Sequence, residues 1–294
     1  MVAAVRARYA TTGPLEITLE TNPTDCQPEQ LAAWHEAGID RLSIGVQSLA
    51  AAELVVLGRD HRFGDGPAAL ARVLAAGGFA TSCDFILGTP TGGRYDTSWI
   101  DEITATSVDH LSVYELTIED RTAFGQRVRD GRLVPRDDDT LAELYETTHA
   151  ALAARGFEHY EISSYARAGK RAVHNSLYWR GQPFLGLGVG AASLALAPDG
   201  SGERATNPRR AAAYMAAPGV PADVVTSSAE EMAIDRAWLG MRTRDGVAAQ
   251  DLPSPLVAWL IDEGLAERAG PRISPTLRGF LMADRIAARI AEAM

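Results

Sequence analysis

Polar residues stand near the ends of hydrophobic runs in the first third of the chain. Glu20 ends the run EITLE, Gln47 ends LSIGVQ, Asp84 lies in CDFILG, and Arg59 and His61 lie in LGRDH. Carboxylates and an amide bind hydroxyl and ammonium groups, and an arginine can grip a carboxylate through two parallel hydrogen bonds. The set therefore suits a zwitterionic ligand that carries a sugar. Each residue alone could merely cap a strand or bond a loop, but their recurrence at successive strand ends favours a site.

The elements that must position these residues alternate between strand-like and helix-like patterns. Hydrophobic runs predict strands over 17–20, 41–47, 82–87, 111–116 and 160–164. Between them, helix periodicity and end signals predict helices over 28–37, 50–58, 66–76, 97–107, 122–130 and 137–155. This order predicts a parallel sheet, and polar residues at the carboxyl ends of its strands would converge at one mouth.

The fold class is therefore α/β, with three regions along the chain. Residues 1–165 are predicted to form part of a TIM-type barrel, because only about five strands can be counted and a complete barrel needs eight. Residues 166–226 are rich in glycine and aromatics and predict ordered loops, a short strand or two and a polar hairpin or linker at 198–210. Residues 227–294 predict helices over 229–243, 253–263 and 276–293 around a β-wing at 264–274, a small winged-helix-like unit.

Composition excludes several classes of protein. The net charge of −10 argues against a surface that binds nucleic acid, and the winged-helix-like region itself has 10 acidic and 8 basic residues. Two cysteines, Cys26 and Cys83, form neither a disulfide scaffold nor a metal knuckle, which suggests a reducing cytoplasm. The sequence has no apolar run long enough to span a bilayer, and its first 13 residues lack the apolar stretch of a signal peptide.

Eight short motifs occur in a fixed order and carry a family resemblance. They are EITLETNP, GIDRLSIGVQSL, LGRDH, CDFILGTP, HLSVYELTIED, GFEHYEISSYA, HNSLYW and GLGVGAAS. In this order they resemble the radical S-adenosylmethionine (SAM) proteins related to oxygen-independent coproporphyrinogen III oxidase, and most of all the branch known as the haem chaperone HemW. The resemblance runs from about residue 14 to the C-terminus, and the final region is similar to that family's small C-terminal domain.

For the strand-end residues the resemblance implies a cofactor site. Glu20, Gln47, Arg59 and Asp84 fall on the family's SAM-binding positions, in agreement with the ligand chemistry of their side chains. The family's cofactors are SAM and a [4Fe–4S] cluster. The resemblance assigns no catalytic residue and no metal ligand to this chain.

The motif HNSLYW resembles the H-N-x-x-Y-W motif of the chaperone branch. It supplies His174, Asn175, Tyr178 and Trp179 as candidates for contact with haem or a porphyrin, since a histidine beside aromatic rings can ligate or cradle a haem. The alternative is a packing turn, in which the polar residues bond backbone groups and Trp179 fills the core. Sequence alone leaves the two interpretations balanced.

The chain departs from the family pattern in two places. GLGVGAAS has Ala192 where the family has a histidine, although its glycines would still allow a ligand to approach the backbone closely. The family's cluster is held by three cysteines in a C-x-x-x-C-x-x-C loop after the first barrel strand, and this chain has no such loop. We therefore expect the first strands of the barrel to be missing, either because the sequence is truncated, which we favour, or because this is a cluster-free relative.

Three functions follow from the resemblance. The first is a HemW-like haem chaperone that binds haem and delivers it to a haem-accepting protein. The second is oxidative decarboxylation of coproporphyrinogen III in porphyrin biosynthesis, and the third is an inactive fragment that only packs. HNSLYW favours the chaperone, whereas the SAM positions favour neither of the first two. No nucleic acid partner and no transmembrane segment are expected.

We predict that residues 1–294, reconstituted with iron and sulfide, release no 5′-deoxyadenosine from SAM. Two cysteines cannot supply the three thiolates that hold a cluster with one free iron. Chromatographic quantification of deoxyadenosine tests this, with a Cys26→Ala/Cys83→Ala double variant as the matched background. Release above that background would show the prediction to be wrong.

Overall fold

A computed structural model describes residues 2–9, 15–60, 62, 64–91 and 97–294. His61, one of the polar residues singled out in the sequence, lies outside the described residues. The chain divides into two compact units, Met1–Ala172 and Val173–Met294, each of which is described separately.

The first unit is built on a six-stranded sheet with the order β1-β2-β3-β4-β6-β5. Its strands are β1 (Thr18–Thr21), β2 (Arg41–Gln47), β3 (Ala80–Leu87), β4 (His110–Glu115), β5 (Glu158–Glu161) and β6 (Ser164–Ala166). The first four strands are parallel neighbours, as the alternating pattern of the sequence predicts. Their carboxyl ends therefore meet at one edge of the sheet.

The helices of the first unit are α1 (Val2–Arg8), α2 (Pro28–Glu36), α3 (Ala51–Val56), α4 (Asp65–Ala76), α5 (Ser98–Thr104), α6 (Ala123–Arg129) and α7 (Asp138–Ala153). Residues of α1, α2, α4, α5 and α7 pack against one face of the sheet. Every second strand residue enters the apolar core on this face, which includes Leu42, Ile44, Val46, Cys83, Phe85, Leu87, Leu111 and Val113. The intervening strand residues are mostly polar and lie on the opposite face.

The last part of the sheet differs from the predicted single strand over 160–164. Instead, β5 and β6 form an antiparallel hairpin, and β6 also pairs antiparallel with β4. The turn lies at residues 162–163, where the backbone N–H of Ser163 donates to a carboxylate oxygen of Glu161 at 3.2 Å. Hydrophobic residues lie on both sides of this turn, and for that reason the sequence pattern predicts one continuous strand.

The second unit begins with a helix and a small antiparallel sheet. These elements are α8 (Val173–Trp179), β7 (Ala192–Leu196), β8 (Gly202–Thr206), α9 (Ala211–Ala216) and β9 (Asp223–Ser227). The sheet order is β7-β8-β9. Residues 198–210, for which the sequence predicts a polar hairpin or linker, contain most of the β7–β8 turn and all of β8, whereas α8 lies where the sequence predicts an irregular segment.

The C-terminal part combines helices with a three-stranded antiparallel sheet of order β10-β12-β11. Its elements are α10 (Ala229–Gly240), β10 (Val247–Ala248), α11 (Ser254–Asp262), β11 (Ala266–Ala269), β12 (Arg272–Pro275), α12 (Leu277–Leu281) and α13 (Ala283–Ala293). Ser228 and Glu231 form a reciprocal capping box at the start of α10. The single helix predicted over 276–293 is divided at Met282. Among the described residues, no helix has the length and apolar content needed to cross a bilayer.

Strand β1 pairs only with β2 among the strands that the structure describes, so its outer backbone edge is an exposed template for pairing. We expect the isolated chain to associate as its concentration rises, and a Thr18→Lys variant to associate less, because an edge lysine opposes strand pairing. Sedimentation velocity over a concentration series measures both effects. A wild-type monomer that is monodisperse throughout and melts cooperatively would contradict this expectation.

Candidate functional site

The face of the first sheet opposite the helix-packed core carries two neighbouring rows of polar side chains, which we call the polar face. The strand register aligns Glu20, Ser43, Ser82 and His110 in one row across β1 to β4. The next row towards the carboxyl ends aligns Asp84, Ser112 and Ser164 across β3, β4 and β6. A barrel interior is ordinarily filled with branched apolar side chains, so a polar face of this size is suited to a polar ligand.

Asp84 is the electrostatic centre of the polar face. The hydroxyl of Ser43 lies 3.0 Å from each of its carboxylate oxygens, and Ser112 is its register partner on β4. Burial raises the pKa of Asp84 to about 6. Hydrogen bonds from Ser112 and Ser43 oppose this rise. The negative charge of Glu20 raises the pKa further, and the positive charge of Arg41 lowers it. Near neutral pH this carboxyl can therefore exchange a proton, or remain ionised against a cationic ligand.

Gln47 adopts an unusual backbone conformation where β2 ends. Its φ of 67° lies in the left-handed region, and it is the one residue other than glycine with a positive φ among those described. The register of β2 against β3 shifts between Ile44 and Gln47, and the side-chain amide turns back over Gly45. A Cβ at Gly45 would stand 2.7 Å from Nε2 of Gln47, so a side chain at this position would displace the amide from its observed place. Strain of this kind is typical of functional positions.

The structure brings together three of the four predicted SAM-binding residues and separates the fourth. Glu20, Gln47 and Asp84 lie towards the carboxyl ends of three adjacent strands, and the charge of Glu20 acts on Asp84. Arg59 is exposed in the turn after α3, where its backbone N–H donates to the carbonyl of Leu54 at 3.0 Å. No side-chain contact joins Arg59 to the other three within the described part of the chain.

The polar face also contains a second, more deeply buried group of polar side chains, which the strand-end pattern does not predict. His110 is buried, with Nδ1 2.8 Å from the Ser82 hydroxyl and Nε2 2.8 Å from the Tyr160 hydroxyl. Burial holds the pKa of His110 well below its ordinary value, and the charge of Arg41 acts in the same direction, so the imidazole is neutral. Burial also raises the pKa of Tyr160 to about 12. The sequence signal that could have predicted this group is the recurrence of polar residues at alternate positions within β2, β3 and β4.

The cysteines do not fit the family's cluster. Cys26 and Cys83 are buried in the apolar core on the helix-covered face, away from the polar face. Burial raises the pKa of both thiols, which disfavours the thiolate form that binds iron. The described residues contain no group of three or more histidine, cysteine or acidic side chains that could hold a metal ion.

In the second unit, the HNSLYW motif forms α8 rather than a packing turn. His174 is exposed, and its ring meets that of Tyr178, one turn along the helix, edge-on at 4.8 Å. Tyr178 in turn meets Phe184 edge-on at 4.7 Å. Asn175 and Trp179 are partly exposed, and no residue of α8 is buried. The alternative in which Trp179 fills the core is therefore wrong.

The GLGVGAAS segment shows why one of its glycines is required. A Cβ at Gly186 would stand 2.0 Å from the carbonyl oxygen of Ala192, at the start of β7. The close backbone approach at Gly186 is therefore to the chain itself rather than to a ligand. Ala192, at the position of the family's histidine, is exposed.

Comparisons with known proteins agree with the resemblance seen in the sequence. The heme chaperone HemW of Mycobacterium tuberculosis is 33% identical over 289 residues, which cover 96% of this chain and 73% of that protein. HemW of Escherichia coli is 36% identical over 73% of this chain and 56% of its own length. The mitochondrial radical S-adenosyl methionine domain-containing protein 1 of Mus musculus is 40% identical over 64% of this chain and 42% of its own length. No model of a known protein family matches the chain.

A solved structure supports the fold. Coproporphyrinogen III oxidase (HemN) from Escherichia coli, described as a radical SAM enzyme, superposes with a TM-score of 0.77 over 98% of this chain and 72% of its own length, at 17% identity. This confirms the predicted α/β class and the relationship to a radical-SAM barrel. With the identities above, it follows that the chain belongs to the HemW family of radical SAM proteins.

Proposed function

We propose that this chain binds haem through α8 and passes it to a haem-accepting protein. The observation that carries the proposal is the exposed imidazole of His174. It meets the ring of Tyr178 edge-on, on a helix of which no residue is buried. Relatives of 33% and 36% identity bear the name heme chaperone. A solvent-exposed imidazole can ligate haem iron, and the neighbouring aromatic ring supplies an apolar contact for the macrocycle.

We predict that His174→Ala weakens haem binding by at least about tenfold and removes the Soret shift of a histidine-ligated haem. The loss arises because the substitution removes the iron ligand but leaves the apolar contacts of the macrocycle. Absorbance titration of hemin into the wild type and the variant measures both changes.

The matched control is His35→Ala. His35 is also exposed and also meets an aromatic ring edge-on, that of Phe79 at 5.7 Å, but it belongs to the first unit. Its removal should leave the affinity and the spectrum unchanged. Equal affinities of the wild type and His174→Ala would remove His174 from the proposal.

Membership of the HemW family implies SAM and a [4Fe–4S] cluster as cofactors. The polar face suits SAM, because Glu20 and Asp84 can accept hydrogen bonds from its ammonium or ribose hydroxyl groups and the Gln47 amide can both donate and accept. Bound SAM would supply a sulfonium cation beside these carboxylates. The two buried cysteines do not suit the cluster, and for that reason we assign to this chain neither radical cleavage of SAM nor the decarboxylation of coproporphyrinogen III that depends on it.

The raised pKa of Asp84 predicts a pH-dependent stability. Folding raises this pKa from 3.8 to about 6, so the folded state favours the protonated carboxyl, and wild type loses stability as pH rises from about 4 to above 6. Asp84→Asn has no such loss. Its stability relative to wild type should therefore increase by about 1–3 kcal/mol between pH 4 and pH 7.5, since one pKa unit corresponds to about 1.4 kcal/mol and the site is partly accessible.

Urea unfolding at the two pH values measures this change, and Asp223→Asn, an exposed position on β9, is the matched control. A stability difference that does not vary with pH would show that Asp84 titrates as an ordinary exposed carboxyl.

Calorimetric titration of SAM at pH 7.5 should show weaker binding to Asp84→Asn, because the variant lacks the negative charge that faces a cationic ligand.

A further inference from the structure

A short loop between α8 and β7 exposes three large aliphatic side chains in five residues. Leu185 and Leu187 are 61% and 62% exposed, and Val189 is 48% exposed. Glycines at 186, 188 and 190 alternate with them. Single exposed leucines are common on protein surfaces, but a contiguous set of this kind marks a surface that another molecule covers. We call residues 184–190 the aliphatic loop.

The backbone of the aliphatic loop is held in place by side chains of the same unit. The Asn207 amide donates to the carbonyls of Gly186 and Gly188 at 3.2 and 2.9 Å. The N–H of Gly186 donates to the Ser193 hydroxyl at 2.9 Å, and that of Gly188 donates to the Tyr214 hydroxyl at 3.1 Å. These bonds fix the glycine peptide groups and leave the aliphatic side chains outward. The apolar surface is therefore preorganised, which reduces the entropy lost on binding.

The aliphatic loop is continuous with the aromatic residues of α8. Phe184, its first residue, lies 4.7 Å from the ring of Tyr178, which meets His174. Beside it is a cavity of about 520 Å³, lined mainly by apolar residues that include Pro183, Phe184, Leu185, Leu194 and Leu196. This volume falls within the range of sites for small molecules and cofactors.

An arginine stands at the far end of the loop. The side chain of Arg209 passes Gly190, with Cγ 3.8 Å from the position that a Cβ would take there. Arg209 and the following Arg210 are exposed, and neither takes part in an ion pair among the described residues. An apolar surface bounded by a guanidinium group is complementary to an apolar ligand that carries carboxylates.

We infer that the aliphatic loop and Arg209 form a docking surface for the ring and carboxylates of a tetrapyrrole, next to the iron ligand on α8. This inference rests on the proposed function and extends it to a second set of contacts. The occupant follows from three features together: a rigid apolar surface, a cationic boundary, and continuity with the aromatic rings beside His174. In this arrangement Leu185 and Leu187 pack on the macrocycle and Arg209 pairs with a propionate.

The test compares hemin with metal-free protoporphyrin IX, which has no iron for His174 to ligate. Leu185→Ser/Leu187→Ser should weaken the binding of both by about tenfold, because it removes apolar contact that both ligands share. His174→Ala should weaken the binding of hemin far more than that of protoporphyrin IX. Val225→Ser, which removes an aliphatic side chain that is 52% exposed on β9, is the matched control and should change neither affinity. Fluorescence titration gives the protoporphyrin affinities.

A second pair of variants tests the charge. Arg209→Ser should weaken protoporphyrin IX binding about three- to tenfold, and this effect should decrease at high salt. It should leave binding of the dimethyl ester, in which both carboxylates are blocked, unchanged. Arg268→Ser, an exposed arginine on β11, is the control and should affect neither ligand.

The outcomes separate the inference from the proposed function. A wild type that binds neither hemin nor protoporphyrin IX would overturn both. If wild type binds both ligands and Leu185→Ser/Leu187→Ser binds them equally well, the docking surface is wrong and haem binding stands. If the leucine variant instead loses binding to phospholipid vesicles while its porphyrin affinity is unchanged, the loop is a lipid-facing surface and the inference is overturned.

Discussion

The first unit depends on the alternation of side chains along its parallel strands. Leu42, Ile44 and Val46 enter the core under the helices, and each contributes roughly 1.5–3 kcal/mol by burial. Their neighbours Arg41 and Ser43 are thereby directed to the opposite face, where β3 and β4 contribute residues of the same polar kind. A shift of register by one residue would exchange the two faces and bury the polar set under the helices. The apolar core therefore determines where the candidate ligand site can lie.

The polar face differs from an ordinary barrel interior in how its polar groups are bonded. Its groups are paired mainly within the sheet, Ser43 with Asp84 and Ser82 with His110. Such bonds offset the cost of burying polar groups, yet they leave Asp84 with a pKa near 6 because two hydroxyl donors only partly replace water. A ligand that brings a positive charge to Asp84 would favour the ionised form. Stability and the proposed binding of a cationic ligand would thus be coupled through one carboxyl group.

Sequence patterns predicted the elements of the first unit closely and the site only in part. The helix predicted over 28–37 is observed as Pro28–Glu36, because strong periodicity and end residues mark its limits. Arg59 was grouped with the strand-end residues, but it follows a helix, and periodicity cannot show where a turn directs a side chain. The return of the Gln47 amide over Gly45 depends on a register shift between strands, which is a property of the paired sheet. The β5–β6 hairpin was missed because its turn has neither glycine nor proline.

Glycine and polar side chains have opposite effects in the two units. In the first, Gly45 makes room for a polar side chain that faces a buried polar surface. In the second, Gly186 lets the backbone approach β7, the carbonyls of Gly186 and Gly188 accept hydrogen bonds from Asn207, and the adjacent leucines are left in solvent. A loop held only to complete the fold would bury its leucines, since that burial is the larger stabilising term. Polar anchors that hold aliphatic side chains outward are consistent with the inferred docking surface, and the neighbouring Arg209 is complementary to an anionic group on the ligand inferred for it.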